Sequence, residues 1–432
     1  MVELRHSHVL FLKTKTTTMR TFICCFLCFF LSLPVMAQRN EIVSDRIASL
    51  QVVAGDEWMS PPIIVLHGND RINISFDDLS HDYMRYCYKL EHCEADWTVS
   101  EGLLTSDYCE GFTDGNTIDD LVESINTNTI YTHYAFQLPN SKCKIKISGN
   151  YKLTVYDEND NDAVAFICYF MVVDPQMGVG LDVTTNTDKD INGRYQQVEM
   201  NLSYGDALRV TDPQRQIKTV VMQNGRWDNA VYCPKPQYVM GDGLKWQHCR
   251  ALIFDGGNEY RKFEMLDMTH TTMGLENINW DGNDYHAYVY VDEPRRNYVY
   301  DEDANGYFYI RNSDNIENDY SSDYGFVHFT LKSQKLTSGD VYINGSWTQD
   351  SFIPKYKMEY NDEEEVYELA LPLKQGYYNY QYLLLSPDGS THPVPSEGNF
   401  FQTENSYQAL VYYRAIGGRT DQLVGYQNVD FK

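Results

Sequence analysis

The chain has 432 residues with 35 basic and 61 acidic side chains, a formal net charge of −26, which excludes the basic stripe that a nucleic-acid backbone demands. A composition 43% hydrophobic and 22% charged is that of a folded protein of about two to four domains, so global disorder is excluded as well. The 35 Tyr, 19 Phe and 6 Trp, together 14% of the chain, favour strands over helices and set an all-β expectation.

At the N-terminus, residues 22–33 form an apolar run after Arg20, and Pro34-Val35-Met36-Ala37 supplies the small-residue ending that a signal peptidase cuts. Residues 1–37 therefore read as a secretory signal peptide cleaved after Ala37, with translation expected to start at Met19 rather than Met1. The run is shorter than the roughly 20 apolar residues of a spanning helix, and no later stretch approaches that length. Gln38 stands where a lipoprotein would need cysteine, so the expectation is a free exported chain without direct membrane insertion. Cleavage deepens the charge to −29, which in an exported protein means a solvated exterior that anionic lipid repels. Seven cysteines remain: Cys87, Cys93, Cys109, Cys143, Cys168, Cys233 and Cys249. An odd number cannot all pair within one chain, and their spacings match no known disulfide framework. Buried thiols acting as small hydrophobes are at least as good a reading in an oxidising compartment, so no bridge is assigned.

Along the mature chain, residues 63–66 and 71–76 read as strands around a Gly-Asn-Asp turn, followed by a Tyr-rich strand over 83–90. Residues 119–128 could form a short helix. Strands resume over 131–138, 143–147, 151–156 and 164–173, and Asp174-Pro175 closes the unit. A second set covers 194–202, 217–224, 252–254, 262–265 and 285–291. A third covers 325–331, 341–344, 366–371, 377–385 and 408–414, separated by Gly, Pro, Asp and Asn clusters. The pattern predicts tandem immunoglobulin- or fibronectin-like β-sandwiches at residues 38–176, 177–318 and 319–432.

Candidate chemistry is sparse. Asp301-Glu302-Asp303-Ala304-Asn305-Gly306 copies the first half of a calcium loop, but Asn312 stands where the bidentate Glu belongs and the flanks are strand-like. A hairpin between residues 298–300 and 307–310, turning at Asn305-Gly306, explains the same residues better. The acidic stretch 157–162 reads as a solvated hairpin tip. His92 and Cys93 with Cys87 and Cys109 raise the question of zinc, yet the mature chain holds no close Cys-x2-Cys pair. Gly-x-Ser-x-Gly, His-Glu-x-x-His and a phosphate loop after a strand are all missing from the sequence. A glycosidase's paired carboxylates would be invisible at this level. Trp97, Trp227, Trp246, Trp280 and Trp347 could stack on sugars, but sandwich cores use Trp at least as often. No catalytic, cofactor-binding or metal-binding residue is assigned.

A set of local phrases is more specific. Tyr88-Lys89-Leu90-Glu91-His92-Cys93-Glu94-Ala95-Asp96-Trp97 is followed by Ser124-Ile125-Asn126-Thr127-Asn128-Thr129-Ile130-Tyr131-Thr132-His133-Tyr134 and Ser148-Gly149-Asn150-Tyr151. Then come Gln223-Asn224-Gly225-Arg226-Trp227-Asp228-Asn229-Ala230, Gly256-Gly257-Asn258-Glu259-Tyr260-Arg261, Asp303-Ala304-Asn305-Gly306 and Leu373-Lys374-Gln375-Gly376-Tyr377-Tyr378-Asn379-Tyr380. In this order and spacing they resemble the plug protein family of the type IX secretion system, over roughly residues 42–414. At Cys168-Tyr169-Phe170-Met171-Val172 the chain departs from the basic pair expected before the Phe, which puts only a local surface contact in question.

The resemblance implies a periplasmic protein, associated with the inner face of the outer membrane, that docks on the system's outer-membrane β-barrel translocon. It would close the periplasmic mouth when no substrate is bound, without catalytic residue or cofactor. Val341-Tyr342-Ile343-Asn344-Gly345-Ser346-Trp347, Tyr378-Asn379-Tyr380-Gln381-Tyr382 and Pro387-Asp388-Gly389 are also similar to early-set immunoglobulin-like domains, which include glycogen-binding modules. In that likeness Trp347 is expected in the core. The competing expectations are a glycan-binding protein using surface Tyr and Trp, and an exported glycosidase.

Overall fold

The computed structural model describes residues 39–80 and 82–432, so the expected leader lies outside the described residues. Strands dominate, and where a sheet has one buried face the apolar side chains alternate with the pleat. Ile72, Ile74 and Phe76 of the strand Ile72–Asp78 point into the core, as do Tyr151, Leu153 and Val155 of Gly149–Asp157.

Ile47–Ala54, Ile72–Asp78, Thr132–Leu138 and Asp120–Glu123 are hydrogen bonded in that order as one antiparallel sheet. Its partner sheet runs Glu41–Ile42, Ala163–Val173, Gly149–Asp157, Tyr86–Cys93 and Asn116–Thr117, with Ile63–Val65 joining Ala163–Val173 in parallel. Aromatic rings fill the space between. Phe76 stacks on Tyr134 at 5.2 Å and meets Phe166 edge-on at 4.8 Å. Burying a side chain of this size stabilises the fold by about 1.5–3 kcal/mol. Among the described residues, every strand before Asp174 pairs within this segment, and the acidic stretch 157–162 is the tip joining Gly149–Asp157 to Ala163–Val173.

A second sandwich sets Gly178–Thr184, Tyr195–Ser203, Gly243–Trp246 and Tyr238–Val239 against Val231–Tyr232, Ile217–Gln223, Asn405–Tyr413 and Gln422–Phe431. In a third, the long strand Gly376–Leu385 pairs with Arg261–Met265, Phe308–Ile310, Asp340–Asn344 and Thr391–Pro393. Its facing sheet runs Leu275–Trp280, Tyr285–Val289, Tyr324–Lys332, Val366–Lys374 and Glu359–Asn361. Phe263 stacks on Tyr378 at 5.2 Å in this core, with Phe329, Trp347 and Tyr380 around them. The fold is thus all-β, built of face-to-face sheets.

Three local expectations are corrected. Residues 119–128 are not helical: Asp120–Glu123 is an edge strand, held because Leu121 lies opposite Tyr134 in the ladder. Residues 298–300 form no hairpin arm. The Asn-Gly turn does exist, with Asn305 at φ +48° and Gly306 at φ +89° and the Tyr307 N–H donating to Ala304 O, but Phe308–Ile310 leaves it to pair with Gly376–Leu385. Finally, the strand expected at 408–414 does not pair within residues 319–432 alone. Tyr407 to Tyr413 lie opposite Gln223 to Ile217, and Arg261–Met265, expected in the middle unit, pairs with Gly376–Leu385. Sheets therefore cross the expected boundary at 318 and 319. Alternation tells which residues face inward, but it does not name the neighbouring strand.

Candidate functional site: buried clamps and an aromatic junction

The side chains that stand out lie where sheets of distant sequence meet. Asp77, one residue before the end of the strand Ile72–Asp78, is fully buried and accepts hydrogen bonds from Tyr324 Oη at 2.6 Å and Lys374 Nζ at 2.5 Å, while His133 Nδ1 lies 2.7 Å from its other oxygen. Burial alone would raise the Asp77 pKa, but Lys374 and His133 more than offset it and hold the carboxyl below the ordinary carboxylate range. The Lys374 ammonium also sits 4.1 Å from the centre of the Tyr131 ring. Nearby, Asp323 accepts the backbone N–H groups of Asn128 at 2.7 Å and Thr129 at 3.0 Å, which fixes the Ser124 to Tyr131 loop.

A second clamp ties the first sandwich to the last strands. Asp421 accepts from Lys218 Nζ at 2.8 Å, Arg414 Nε at 2.9 Å and the Ala95 N–H at 3.1 Å, and Arg414 also pairs with Glu94. An apolar cluster of Ala95, Trp97, Met171, Met222, Leu410 and Tyr412 lies beneath it. In a third clamp Arg261 holds Glu397 at 2.7 Å and Asp292 at 2.7 Å, and Arg295 adds a 2.5 Å contact to Glu397. Arg226 bonds Asp228 through two nitrogens, at 3.1 and 2.6 Å, and Asp228 accepts from Thr391 Oγ1 at 2.5 Å. Such bidentate charge-assisted pairs fix orientation as well as distance. Residues Gln38–Lys432 accordingly form one compact unit.

A cavity of about 150 Å³ lies where these surfaces converge, lined among others by Trp58, Trp97, Trp227, Tyr307 and Asp350. A more open groove of about 830 Å³ runs past Trp58, Asp120, His133, Gln137, Tyr309 and Asp319. On the outer face of the third sandwich Tyr288 stacks on His328 at 4.3 Å, and Trp280 packs against Tyr285 while remaining 47% exposed.

The residues considered from sequence are distributed as follows. Trp97, Trp246 and Trp347 are buried, Trp227 is half-buried and Trp280 is exposed. Trp347 donates from Nε1 to Asn379 O at 2.8 Å, the core role expected for it. In the acidic turn, Asp301 pairs with Lys262 at 2.7 Å, whereas Asp303 is half-buried and accepts the backbone N–H groups of Tyr260 and Asn305, so the carboxylates do not converge. Burial pushes Asp303 up to about 7. His92 is buried beside Tyr151, with Nδ1 2.9 Å from Ser100 Oγ, and burial lowers its pKa. Cys93 packs into the cluster around Trp97 and Cys109 into the first sandwich, so the suggested zinc set is dispersed. Among the described residues no group of three or more His, Cys, Asp or Glu is placed to hold a metal ion. Among the described residues six of the seven cysteines are buried thiols, and Cys233 is exposed. Sequence reasoning missed the clamps entirely. The only signal was that Asp77, Arg226 and Lys374 sit in or beside strand patterns that would otherwise be apolar.

Among the described residues no helix is long and apolar enough to cross a membrane. A family model described as the type 9 secretion system plug protein 1st domain matches residues 47–174, the segment that forms the first sandwich. The chain is similar over most of its length to a solved structure described as a hypothetical protein from Parabacteroides merdae ATCC 43184. The two are 40% identical with a TM-score of 0.88, covering 91% of this chain and 99% of that one. A partial N-terminal region of an enterococcal surface protein aligns at 9% identity over 93% of this chain and 97% of that chain, but with a TM-score of 0.19 it carries no argument. No curated protein matches. The match over the first sandwich, in the segment that carries the phrases around Trp97 and Tyr131, shows that residues 47–174 are similar to the first domain of the type 9 secretion system plug proteins.

Proposed function

We propose that the mature chain is a non-enzymatic periplasmic plug that docks on the outer-membrane β-barrel translocon of the type IX secretion system and closes its periplasmic opening when no substrate is bound. The observation that supports this reading most directly is the family match over residues 47–174. The clamped construction of residues Gln38–Lys432 is what such a task asks for. A cap that yields to each solute seals nothing, and a body whose sheets are tied by buried ion pairs keeps one shape. Binding one translocon state better than another would then gate the pore by population shift, with no chemical step. In this reading residues 1–37 are removed after Ala37 and the plug works at the inner face of the outer membrane.

Affinity capture of the tagged mature chain from solubilised outer membranes, with mass-spectrometric identification, tests it. Recovery of a very large β-barrel protein, with increased outer-membrane leakage on deletion of the gene, is the expected result. Capture of no barrel under conditions that preserve translocon complexes would overturn it. A thermal shift on adding oligosaccharides in that experiment's place would favour glycan binding through exposed aromatics such as Trp280 and Tyr288.

A further inference from the structure

We propose that Cys109 and Cys143 are a disulfide-forming pair that closes the segment reaching from the first sandwich to the third. Their sulfurs lie 3.0 Å apart and both side chains are buried. That separation is within about 1 Å of a covalent S–S bond. The two residues sit on the small two-stranded ladder of Cys109–Gly111 and Cys143–Ile145, in which Cys143 lies opposite Gly111 and Cys109 opposite Ile145. Gly111 presents no side chain to Cys143, so the neighbour two residues along the same face, Cys109, fills the space. Gly111 is also held to glycine, because at φ +110° a Cβ would come 2.1 Å from Lys142 O. Among the described residues the other cysteines lack such a neighbour in the hydrogen-bonded contacts: Cys87, for instance, faces Thr117 and Glu158.

The pair is chemically asymmetric. The Cys143 thiol hydrogen bonds to Cys109 and lowers its pKa, so Cys109 is the better thiolate. In the proposed step the Cys109 thiolate attacks a disulfide sulfur of the oxidant, an oxidised dithiol protein or oxidised glutathione, forming a mixed disulfide and releasing one thiolate. Cys143, after losing its proton, then attacks Cys109 Sγ and releases the second thiolate. Two thiols thereby lose two protons and two electrons, and the oxidant's disulfide is reduced. Because both sulfurs are buried, the exchange takes place before the ladder docks or during its local opening.

The consequence lies in what the bond encloses. The loop it closes, with 34 positions between its ends, contains the strand Asp120–Glu123 and the Ser124 to Tyr131 stretch whose backbone is gripped by Asp323. A covalent staple at its base would restrain the unfolded chain across the contact between the first and third sandwiches.

The test uses the full mature chain. Reduced protein is incubated with oxidised glutathione at low denaturant, alkylated, and mapped by peptide mass spectrometry. A single internal cross-link between the Cys109 and Cys143 peptides, reversible by reductant, is the expected result. Free alkylation of both residues, or a link from either to another cysteine, would overturn the proposal. Thermal unfolding supplies a second readout. Reductant should lower the midpoint of the oxidised chain by roughly 4 °C and leave a Cys109→Ser/Cys143→Ser variant unmoved. Equal midpoints with and without reductant in the parent chain would count against the staple. In cells the cross-link depends on the exported location proposed above. The glutathione experiment does not, so failure of export and failure of the pair are separately visible.

Discussion

Asp77 and Lys374 lie 297 positions apart in sequence, and their charged atoms are 2.5 Å apart with both side chains shielded from water. Removing one partner leaves the other charge buried and uncompensated, which costs about 3–5 kcal/mol. Lys374→Ala should therefore lower the unfolding free energy by about that amount in urea titrations. Asp77→Asn combined with Lys374→Met should recover at least half of the loss. Equal losses in the single and double variants would show that the pair is not coupled.

Acid should act on the same clamp. Asp77 is held below its ordinary range in the folded chain, so its contribution is present at neutral pH and is lost as pH falls below about 4 and through its folded pKa. Unfolding free energy measured between pH 5 and pH 3 should fall more steeply in the parent chain than in Asp77→Asn.

Asp303 and Asp350 work in the opposite direction. Burial pushes Asp303 up to about 7 and, with the adjacent charge of Asp228, Asp350 up to about 6. Each binds a proton in the folded chain while ionised in the unfolded one across the interval from about pH 4 to its folded value. The sign is fixed: their stabilisation is complete below about pH 4 and declines as pH rises towards 7. Asp303→Asn should flatten that decline while retaining the fold. The check is the urea midpoint at half-unit steps of pH, and an unchanged slope in the variant would rule Asp303 out as its source.

Trp347 packs against Phe329 at 6.0 Å and Tyr378 at 5.8 Å. Trp347→Ala should cost about 3–5 kcal/mol through the cavity it leaves. Trp347→Phe should cost less, chiefly the lost bond to Asn379 O and the missing ring volume. Chemical denaturation of the two variants separates these contributions.

Gly306 combines a left-handed backbone with a crowded neighbourhood, since a Cβ there would lie 2.7 Å from the Tyr260 ring. Gly306→Ala should destabilise by about 1–3 kcal/mol, whereas Gly115→Ala, left-handed but in open space, should cost only the backbone strain. The difference between the two in one denaturation series isolates the steric part.

The fold class was legible because strand alternation is local. Ile72, Ile74 and Phe76 announce a buried face from three positions of sequence. For Trp347 the sequence offered only a preference for the core over a sugar-stacking surface, and the side chain is buried. Strand partners were not legible. Nothing near Gln408 indicates that its neighbour will be Met222, because that choice is made by the fit of two whole surfaces. The clamps were hidden for a related reason. An Asp near the end of a strand looks solvated until its partners, here His133, Tyr324 and Lys374 for Asp77, arrive from elsewhere in the chain. The short helix considered at residues 119–128 gives way to an edge strand because residues 120–123 find a ladder partner in Thr132–Leu138, a neighbour the local sequence does not name.

The pairing of Asn405–Tyr413 with Ile217–Gln223, and of Gln422–Phe431 with Asn405–Tyr413, sets a schedule for the chain's assembly. Half of a four-stranded sheet is missing until the final residues are delivered, long after its first members have been made. A polypeptide threaded through an export channel from its N-terminal end would thus carry an unfinished middle layer for almost the whole passage. The latch closes only when residues 405–431 reach the sheet, so until then Val231–Tyr232 and Ile217–Gln223 stand as an unfinished half.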